Sequence, residues 1–220
     1  MSGPAEPTDV TQWVENPEGG RRRGPRGLAR AWAEVLVRPG RFFRNGVAPA
    51  DQAPGLTFAL AVAFTFVGGR LLLSPESLSG YGNVVAATGR PVLSAVVLAG
   101  AIGFLVAPLV LHLAAALATL SLITVVDDRA GISETVQVVA YASAPAVFVA
   151  VPHPAVQVVA ASYSALLVAV GFAVVHETSP PRAAVAAVLP AVFVFGFAFG
   201  GIGAVEAVTG LEVTGDRMAG

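Results

Sequence analysis

The chain has no cysteine and no lysine among its 220 residues, and it has few charges of either sign. The absence of cysteine excludes disulfides, thiolate metal sites and thiol catalysis. Charged residues make up 12% of the sequence, against roughly 25% in soluble proteins. Hydrophobic residues make up 55%, and the mean hydropathy is +0.73. This composition predicts a membrane protein.

Catalytic and metal-binding motifs are also missing from the sequence. There is no P-loop, dinucleotide fingerprint, H-E-x-x-H motif or nucleophile elbow. The three histidines, His112, His153 and His176, lie in different segments without the paired spacing of a metal site. A net charge of −1 does not favour a nucleic-acid partner. We therefore expect a non-enzymatic protein with no cofactor, no metal and no nucleic-acid partner.

Uncharged runs indicate where the chain crosses the membrane. Eighteen uncharged residues lie between Asp51 and Arg70, which is the length of one membrane-spanning helix. The run 91–126 has 36 uncharged residues. It would measure about 54 Å as a helix, against roughly 30 Å of hydrocarbon. We predict one long helix here, tilted or protruding, with a kink at Pro108.

Two further runs complete the pattern. Residues 135–176 are uncharged but interrupted by Pro152 and Pro154, which predicts two spans joined by a tight turn. The last run has 23 uncharged residues. The prediction is an all-α polytopic protein with a domain at 52–209 and an external tail at 210–220. Its five transmembrane helices are expected at about 54–73, 91–126, 134–151, 155–175 and 183–205.

The arginines predict the orientation of the chain in the cell membrane. With the amino terminus in the cytoplasm, the inner segments hold ten of the thirteen arginines, and the outer segments hold Arg70, Arg90 and Arg217. Five spans then place the carboxyl terminus outside. Residues 1–26 are polar and rich in Pro, Gly and Arg, without the apolar core of a signal peptide. They predict a disordered cytoplasmic tail.

Residues 27–47 are predicted to form an amphipathic segment at the membrane interface. Apolar residues recur at helical spacing between Leu28 and Leu36, and Pro39 ends that helix. Phe42 and Phe43 follow, flanked by arginines, which suits rings in the acyl boundary and guanidinium groups on anionic headgroups. A solvated basic flank is the alternative. The predicted lipid-facing residues are Arg30, Trp32, Arg38, Arg41, Phe42, Phe43 and Arg44.

A polar strip runs along the third predicted span. Glu134, Gln137 and Tyr141 are spaced by three and then four residues, which places them on one helical face, and Pro145 continues that face. Their polar groups need partners in a medium without water, so the strip should face other helices. It serves either helix–helix contact or an ion or proton path. Because His112 is the only other ionisable group at depth, contact is favoured.

The fifth predicted span contains a G-x-x-x-G pair. Gly196 and Gly200 have the spacing that allows two helices to approach closely. We expect this pair to pack within the monomer. A face for a homo-oligomer is the alternative.

Two short stretches, "VLVRPGRFF" and "AYASAP", carry a family resemblance. A proline followed by paired phenylalanines ahead of five spans, with Tyr141 and Pro145 in the third, resembles prokaryotic, archaeal-type members of the Yip (Ypt-interacting protein) domain family. The resemblance covers about Ala31 to Val205 and implies a polytopic protein with a cytoplasmic amino terminus. Eukaryotic members act in vesicle traffic and bind prenylated Rab-type GTPases. Their acidic D-L-x-G-P motif is replaced here by "DQAPGL", so the resemblance implies the fold rather than Rab binding.

Two functions are compatible with these features. The first is a non-enzymatic scaffold or adaptor that organises membrane partners or lipids through its arginine-rich cytoplasmic flank; which protein partners it would hold is not indicated. The second is a small transporter or channel that uses the polar strip, with helix breaks at Pro108, Pro145 and Pro190. Transporters usually carry internal repeats and deep charged residues. Neither is evident here, so the scaffold is favoured.

Overall fold

The computed structural model describes residues 13–14 and 24–211, and every regular element within these ranges is helical. Most of the tails predicted at 1–26 and 210–220 lies outside these ranges. Five residues of the predicted disordered region are described: Trp13 and Val14 are buried, and Gly24 precedes the first helix, which begins with Pro25 and Arg26. Disorder is therefore the wrong prediction for the buried pair and for the two helical residues.

Nine helices of seven residues or more lie in the described ranges, and five of them are long and apolar enough to span a membrane. The predicted all-α fold with five spans is therefore confirmed. The helices are α1 Pro25–Val37, α2 Pro39–Asn45, α3 Ala53–Leu73, α4 Tyr81–Thr88, α5 Pro91–Val125, α6 Ile132–Ala150, α7 Pro154–Val175, α8 Pro180–Ala198 and α9 Gly201–Thr209. The spans are α3, α5, α6, α7 and α8.

The bundle has two ends. At the first, which we call the amino-terminal face, α3, α6 and α8 begin and α5 and α7 end. At the second, the distal face, the chain continues from α3 through the short helix α4 into α5, turns from α6 to α7, and leaves α8. The sequence did not predict α4, whose flanking residues Gly80 and Gly89 both adopt positive φ angles.

Helix α5 is a single span of 35 residues, as predicted. Its irregularity is a π turn over Ile102–Val106, immediately before Pro108. A proline has no N–H for the carbonyl one turn earlier, and its ring crowds that carbonyl. The wider π turn accommodates both effects. His112 lies one turn further along, and its Nδ1 is 2.7 Å from the Pro108 carbonyl oxygen.

Helices α6 and α7 form the predicted hairpin, with the turn at Val151–His153. The first part of α6, Ile132–Ala142, is α-helical, and the chain then tightens into a 3₁₀ helix over Ala144–Ala150. About 72% of α6 is buried, against 39% or less for each other span. Helix α6 therefore forms the centre of the bundle.

The fifth span ends earlier than predicted. Its helix stops at Ala198, after a π segment over Val192–Ala198, because Gly200 adopts a left-handed conformation with φ of 77°. The chain then turns into α9, which packs against α7. Gly196 and Gly200 therefore do not form the predicted G-x-x-x-G face. Of the two, Gly196 alone packs closely within the monomer, since a Cβ there would lie 3.2 Å from the Ile202 side chain of α9. The close approach of α9 to α7 involves Gly201, where a Cβ would lie 3.0 Å from the Ala161 Cβ.

Candidate functional site

Helices α1 and α2 form a hairpin, here called the amino-terminal hairpin (residues 25–45). Arg38 joins the two helices with an extended φ of −136°, because the proline that follows disfavours helical geometry at this position. Pro39 then occupies the first position of α2, where its missing N–H costs nothing. The amphipathic helix and aromatic anchor predicted within 27–47 are thus two helices with a sharp turn between them.

Four aromatic rings hold this hairpin to the bundle. Phe42 packs edge-on against Tyr141 with ring centroids 4.8 Å apart, and Tyr141 packs against Phe58 at 5.2 Å. Trp32 of α1 lies 5.1 Å from the same Phe58 ring. The two pairs that involve Tyr141 are edge-to-face, a geometry that contributes about 0.5–1.5 kcal/mol for each pair beyond the buried area. The hairpin is therefore docked by tertiary packing.

The predicted lipid-anchor role is wrong for Phe42 and Phe43. Their rings are 0% and 1% exposed, so they face the protein interior and not the acyl boundary. Gly171 of α7 makes room for Phe43, since a Cβ at position 171 would lie 3.2 Å from that ring. Helices α6 and α7, rather than lipid, bury these two rings.

Gln137 joins the hairpin to the start of the first span. Its Oε1 accepts the Ala48 N–H at 2.9 Å, and its Nε2 donates to the Ala48 carbonyl at 2.7 Å and to the Ser133 carbonyl at 3.3 Å. The Gln137 side chain is fully buried. Gly55 of α3 allows this approach, because a Cβ there would lie 2.9 Å from the Gln137 Cγ. Both backbone groups of Ala48 are thus satisfied by one side chain.

The tip of the hairpin reaches far along the bundle. The indole Nε1 of Trp32 donates to the Ala144 carbonyl at 3.0 Å, and the Tyr163 hydroxyl donates to the Leu36 carbonyl, which lies in the unpaired last turn of α1. Ala144 and Tyr163 each lie twelve residues from the amino-terminal face, a distance of roughly 18 Å along a helix. The hairpin therefore lies beside the spans over roughly 18 Å of their length, measured from the amino-terminal face.

The arginines of the predicted lipid-contact set lie on the outside of the hairpin. Arg30, Arg38 and Arg44 are exposed, as is the neighbouring Arg26, and Arg41 is half-buried. Trp32 is also half-buried. The set thus divides by chemistry: the phenylalanines point into the bundle, while most of the guanidinium groups point away from it.

The polar strip faces the hairpin rather than an open channel. Tyr141 is fully buried among the aromatic rings, and Pro145 is buried at the start of the 3₁₀ segment. Glu134 lies half-buried in the first turn of α6, next to Gly131. Since every polar group of Gln137 has a partner within the chain, the strip is a packing and hydrogen-bonding surface.

His176 is a buried polar residue that the sequence did not single out. It follows the last residue of α7, is 1% exposed, and its ring packs edge-on against Phe172 at 5.5 Å. Its Nδ1 accepts the Ala130 N–H at 3.1 Å, and its Nε2 lies 3.4 Å from the Thr135 hydroxyl. It therefore ties the α5–α6 loop to the end of α7. One histidine at the end of an uncharged run gives no sequence signal of this role.

His176 is neutral at physiological pH. Burial, with a smaller effect from the positive charge of Arg129, lowers its pKa from 6.5 to about 4. Neutrality suits the geometry, because Nδ1 must be unprotonated to accept the Ala130 N–H. Across the described part of the chain, no three His, Cys, Asp or Glu residues are grouped in a way that could hold a metal ion.

Gln137→Leu is expected to lower the free energy of unfolding by about 1–3 kcal/mol, because leucine leaves the buried N–H of Ala48 without a partner and leaves its carbonyl with only the long hydrogen bond from the Asp51 N–H at 3.4 Å. Denaturation by SDS in mixed micelles measures this change. Thr65→Val is the matched control, since the exposed Thr65 hydroxyl bonds only to its own helix. Equal stability of the two variants would contradict a structural role for the Gln137 amide.

Acidification is expected to destabilise the fold through His176. Folding lowers the pKa of this residue, so the unfolded chain takes up the proton first, and the free energy of unfolding falls as pH drops from 6.5 towards about 4. The slope is at most about 1.4 kcal/mol per pH unit. His176→Gln should flatten this dependence, whereas the same change at the exposed His153 should not. Identical pH profiles for the parent protein and His176→Gln would exclude this origin.

Comparison with known proteins agrees with this architecture. The family model of the Yip1 domain matches residues 33–202, a range that begins in α1 and ends in α9 and contains all five spans. Searches of curated proteins and of solved structures gave no match. The matched range covers most of the 220 residues. The chain is therefore a multi-pass membrane protein of the Yip1 domain family.

Proposed function

We propose that this protein is a non-enzymatic membrane scaffold whose amino-terminal hairpin binds anionic lipid headgroups in the cytoplasmic leaflet. The observation that carries the proposal is the division of the hairpin into two sides. Its aromatic side is fixed in the bundle by Phe42 and Phe43, and its outer side exposes Arg26, Arg30, Arg38 and Arg44. A guanidinium group matches the geometry of a phosphate, and each one near an anionic surface contributes about 1 kcal/mol.

Because the hairpin is docked along the bundle, its arginine-bearing side extends towards the middle of the spans. Arg38 lies at the tip, next to Leu36, whose carbonyl accepts a bond from Tyr163 in the middle of α7. A guanidinium at that depth is stabilised only if its side chain extends towards the headgroups or if the headgroups sink towards it. The hairpin would therefore draw phosphates inward and thin the leaflet beside the bundle.

The proposal also includes the orientation of the protein in the membrane. Ten of the thirteen arginines lie in the sequence segments that precede α3, join α5 to α6 or join α7 to α8, and an excess of basic residues marks cytoplasmic segments. The hairpin then meets the leaflet that carries most anionic lipid. Transport through the polar strip is less favoured, because the amide of Gln137 is already bonded within the chain. Solute flux into proteoliposomes that hold only this protein would speak for the transporter.

The full-length protein in liposomes should select anionic over neutral lipid. Spin-labelled phosphatidylglycerol and phosphatidylcholine report this selectivity through the motionally restricted fraction in electron paramagnetic resonance spectra. We expect the preference for phosphatidylglycerol to fall as salt rises, because exposed charges are screened over about 10 Å at 0.1 M. Changing Arg26, Arg38 and Arg44 to glutamine should reduce it by about 1 kcal/mol for each arginine that contacts phosphate.

Two controls separate this effect from a general loss of charge. Arg90→Gln and Arg182→Gln remove exposed arginines outside the hairpin, and neither should abolish the preference. The full chain is needed, because a free hairpin peptide would expose Phe42 and Phe43. A preference that is unchanged in the triple variant would rule out the hairpin as the lipid-binding surface.

The chain lacks cysteine, so single introduced thiols can test the orientation. We expect a membrane-impermeant maleimide to label cysteines placed at His153 and Asp216 in intact cells. Cysteines at Ser2 and Asp128 should react only after the cells are opened. Labelling of position 128 in intact cells would reverse the proposed orientation.

A further inference from the structure

An apolar cavity of about 90 Å³ opens among α3, α5, α6 and α8. Ala59 and Ala63 leave the space on the α3 side, and Phe66 and Phe199 border it at its distal end, with their rings 5.0 Å apart. The one hydroxyl in its wall, on Ser143, donates to the Ala140 carbonyl at 2.6 Å. The side chains in the cavity wall therefore present hydrocarbon and no unpaired polar group.

Both π segments of the spans line this cavity. Ile102 and Val106 come from the π turn of α5, and Val194 and Ala198 come from the π segment of α8. Such segments give up regular α-helical hydrogen bonding and are frequent at functional sites. A void in lipid also forfeits dispersion contacts along its walls. Two irregular segments around one apolar space therefore point to an occupant made of hydrocarbon.

A cation lies next to Phe66 at the distal end of the cavity. The guanidinium carbon of Arg70 lies 5.7 Å from the centroid of the Phe66 ring, one turn earlier on α3, and its Nη1 donates to the Ser77 hydroxyl at 3.0 Å. No carboxylate in the described ranges is paired with Arg70. A charge at the edge of the hydrocarbon is costly until it meets an opposite charge or the headgroup layer.

We infer that the cavity and Arg70 form one binding site for a single anionic phospholipid of the distal leaflet. One acyl chain passes Phe66 and Phe199 into the cavity, and the phosphate accepts hydrogen bonds from the Arg70 guanidinium. The N–H donors of a guanidinium group have a fixed geometry that suits a phosphate. The acyl chain restores the dispersion contacts that the walls of the empty cavity lack. The site lies at the distal end of α3, so it does not depend on the function proposed for the amino-terminal hairpin.

The test uses the full-length protein in nanodiscs of phosphatidylcholine. Phe199→Trp places a fluorophore in the cavity wall, and the signal of Trp13 and Trp32 is subtracted with the unmodified chain. A small fraction of phosphatidylglycerol brominated in mid-chain is added, or the same fraction of brominated phosphatidylcholine. We expect the anionic lipid to quench the new tryptophan with about fivefold higher apparent affinity.

Further variants test the contribution of the lipid headgroup and that of the acyl chain separately. Arg70→Gln in the Phe199→Trp protein should bring both lipids to equal apparent affinity. Ala63→Phe fills the cavity and should reduce quenching by both lipids, while Ala61→Phe, on the same helix but outside the wall, should not. Phe104→Trp reports bulk lipid, because Phe104 is 65% exposed, and should show no preference.

Three results would contradict the proposed phospholipid site. Equal quenching by the two lipids at position 199 would remove the headgroup specificity. A preference that survives Arg70→Gln would exclude Arg70 as the phosphate ligand. Protection of position 199 from both brominated lipids would mean that a second copy of the chain or another protein fills the cavity. The Arg70 result stands even if Ala63→Phe does not fold, because Arg70 is half-exposed and outside the core.

Discussion

The pair of hydrogen bonds between the Gln137 amide and the backbone of Ala48 determines where the amino-terminal hairpin lies. Within a bilayer, a backbone group that finds no partner costs several kcal/mol, and Ala48 lies between α2 and α3, where no helix satisfies it. One buried side chain supplies both an acceptor and a donor. With Ala48 held in this way, α2 packs along α7, Phe42 lies against Tyr141 of α6, and Arg44 is exposed.

Much of the fold could be predicted because hydrocarbon excludes charge. The lengths of the uncharged runs predicted five spans, a single long α5 and a hairpin at Pro152 and Pro154, and the structure confirms all three. The spacing of Glu134, Gln137 and Tyr141 predicted a common face, since helical periodicity does not depend on what covers that face. The end of α8 could not be predicted, because Gly200 in an uncharged run reads as one more helical residue until its positive φ is seen.

The candidate site was less predictable, because its residues contact segments that are distant in sequence. Phe42 and Phe43 between arginines are typical of a lipid anchor, and the same pattern fits rings that enter a protein core. Which of the two occurs depends on Gly171, more than a hundred residues later, where a side chain would meet Phe43. The contact of His176 with Ala130 is likewise a property of the folded bundle, and no local spacing encodes it.

The burial of α6 has a consequence for how the protein enters its membrane. Helix α6 has a mean hydropathy of 1.3, the lowest of the five spans, and it is the one with the most surface covered by other helices. Alone in a bilayer, α6 would expose Gln137 and Thr135 to lipid. Transfer of α6 by itself from water into the bilayer is therefore less favourable than transfer of any of the other four spans. The tight turn at Pro152 lets α6 insert as a pair with the more apolar α7. Its polar face is then covered when α2 and α3 close over it, so that assembly of the bundle completes the insertion of its central helix.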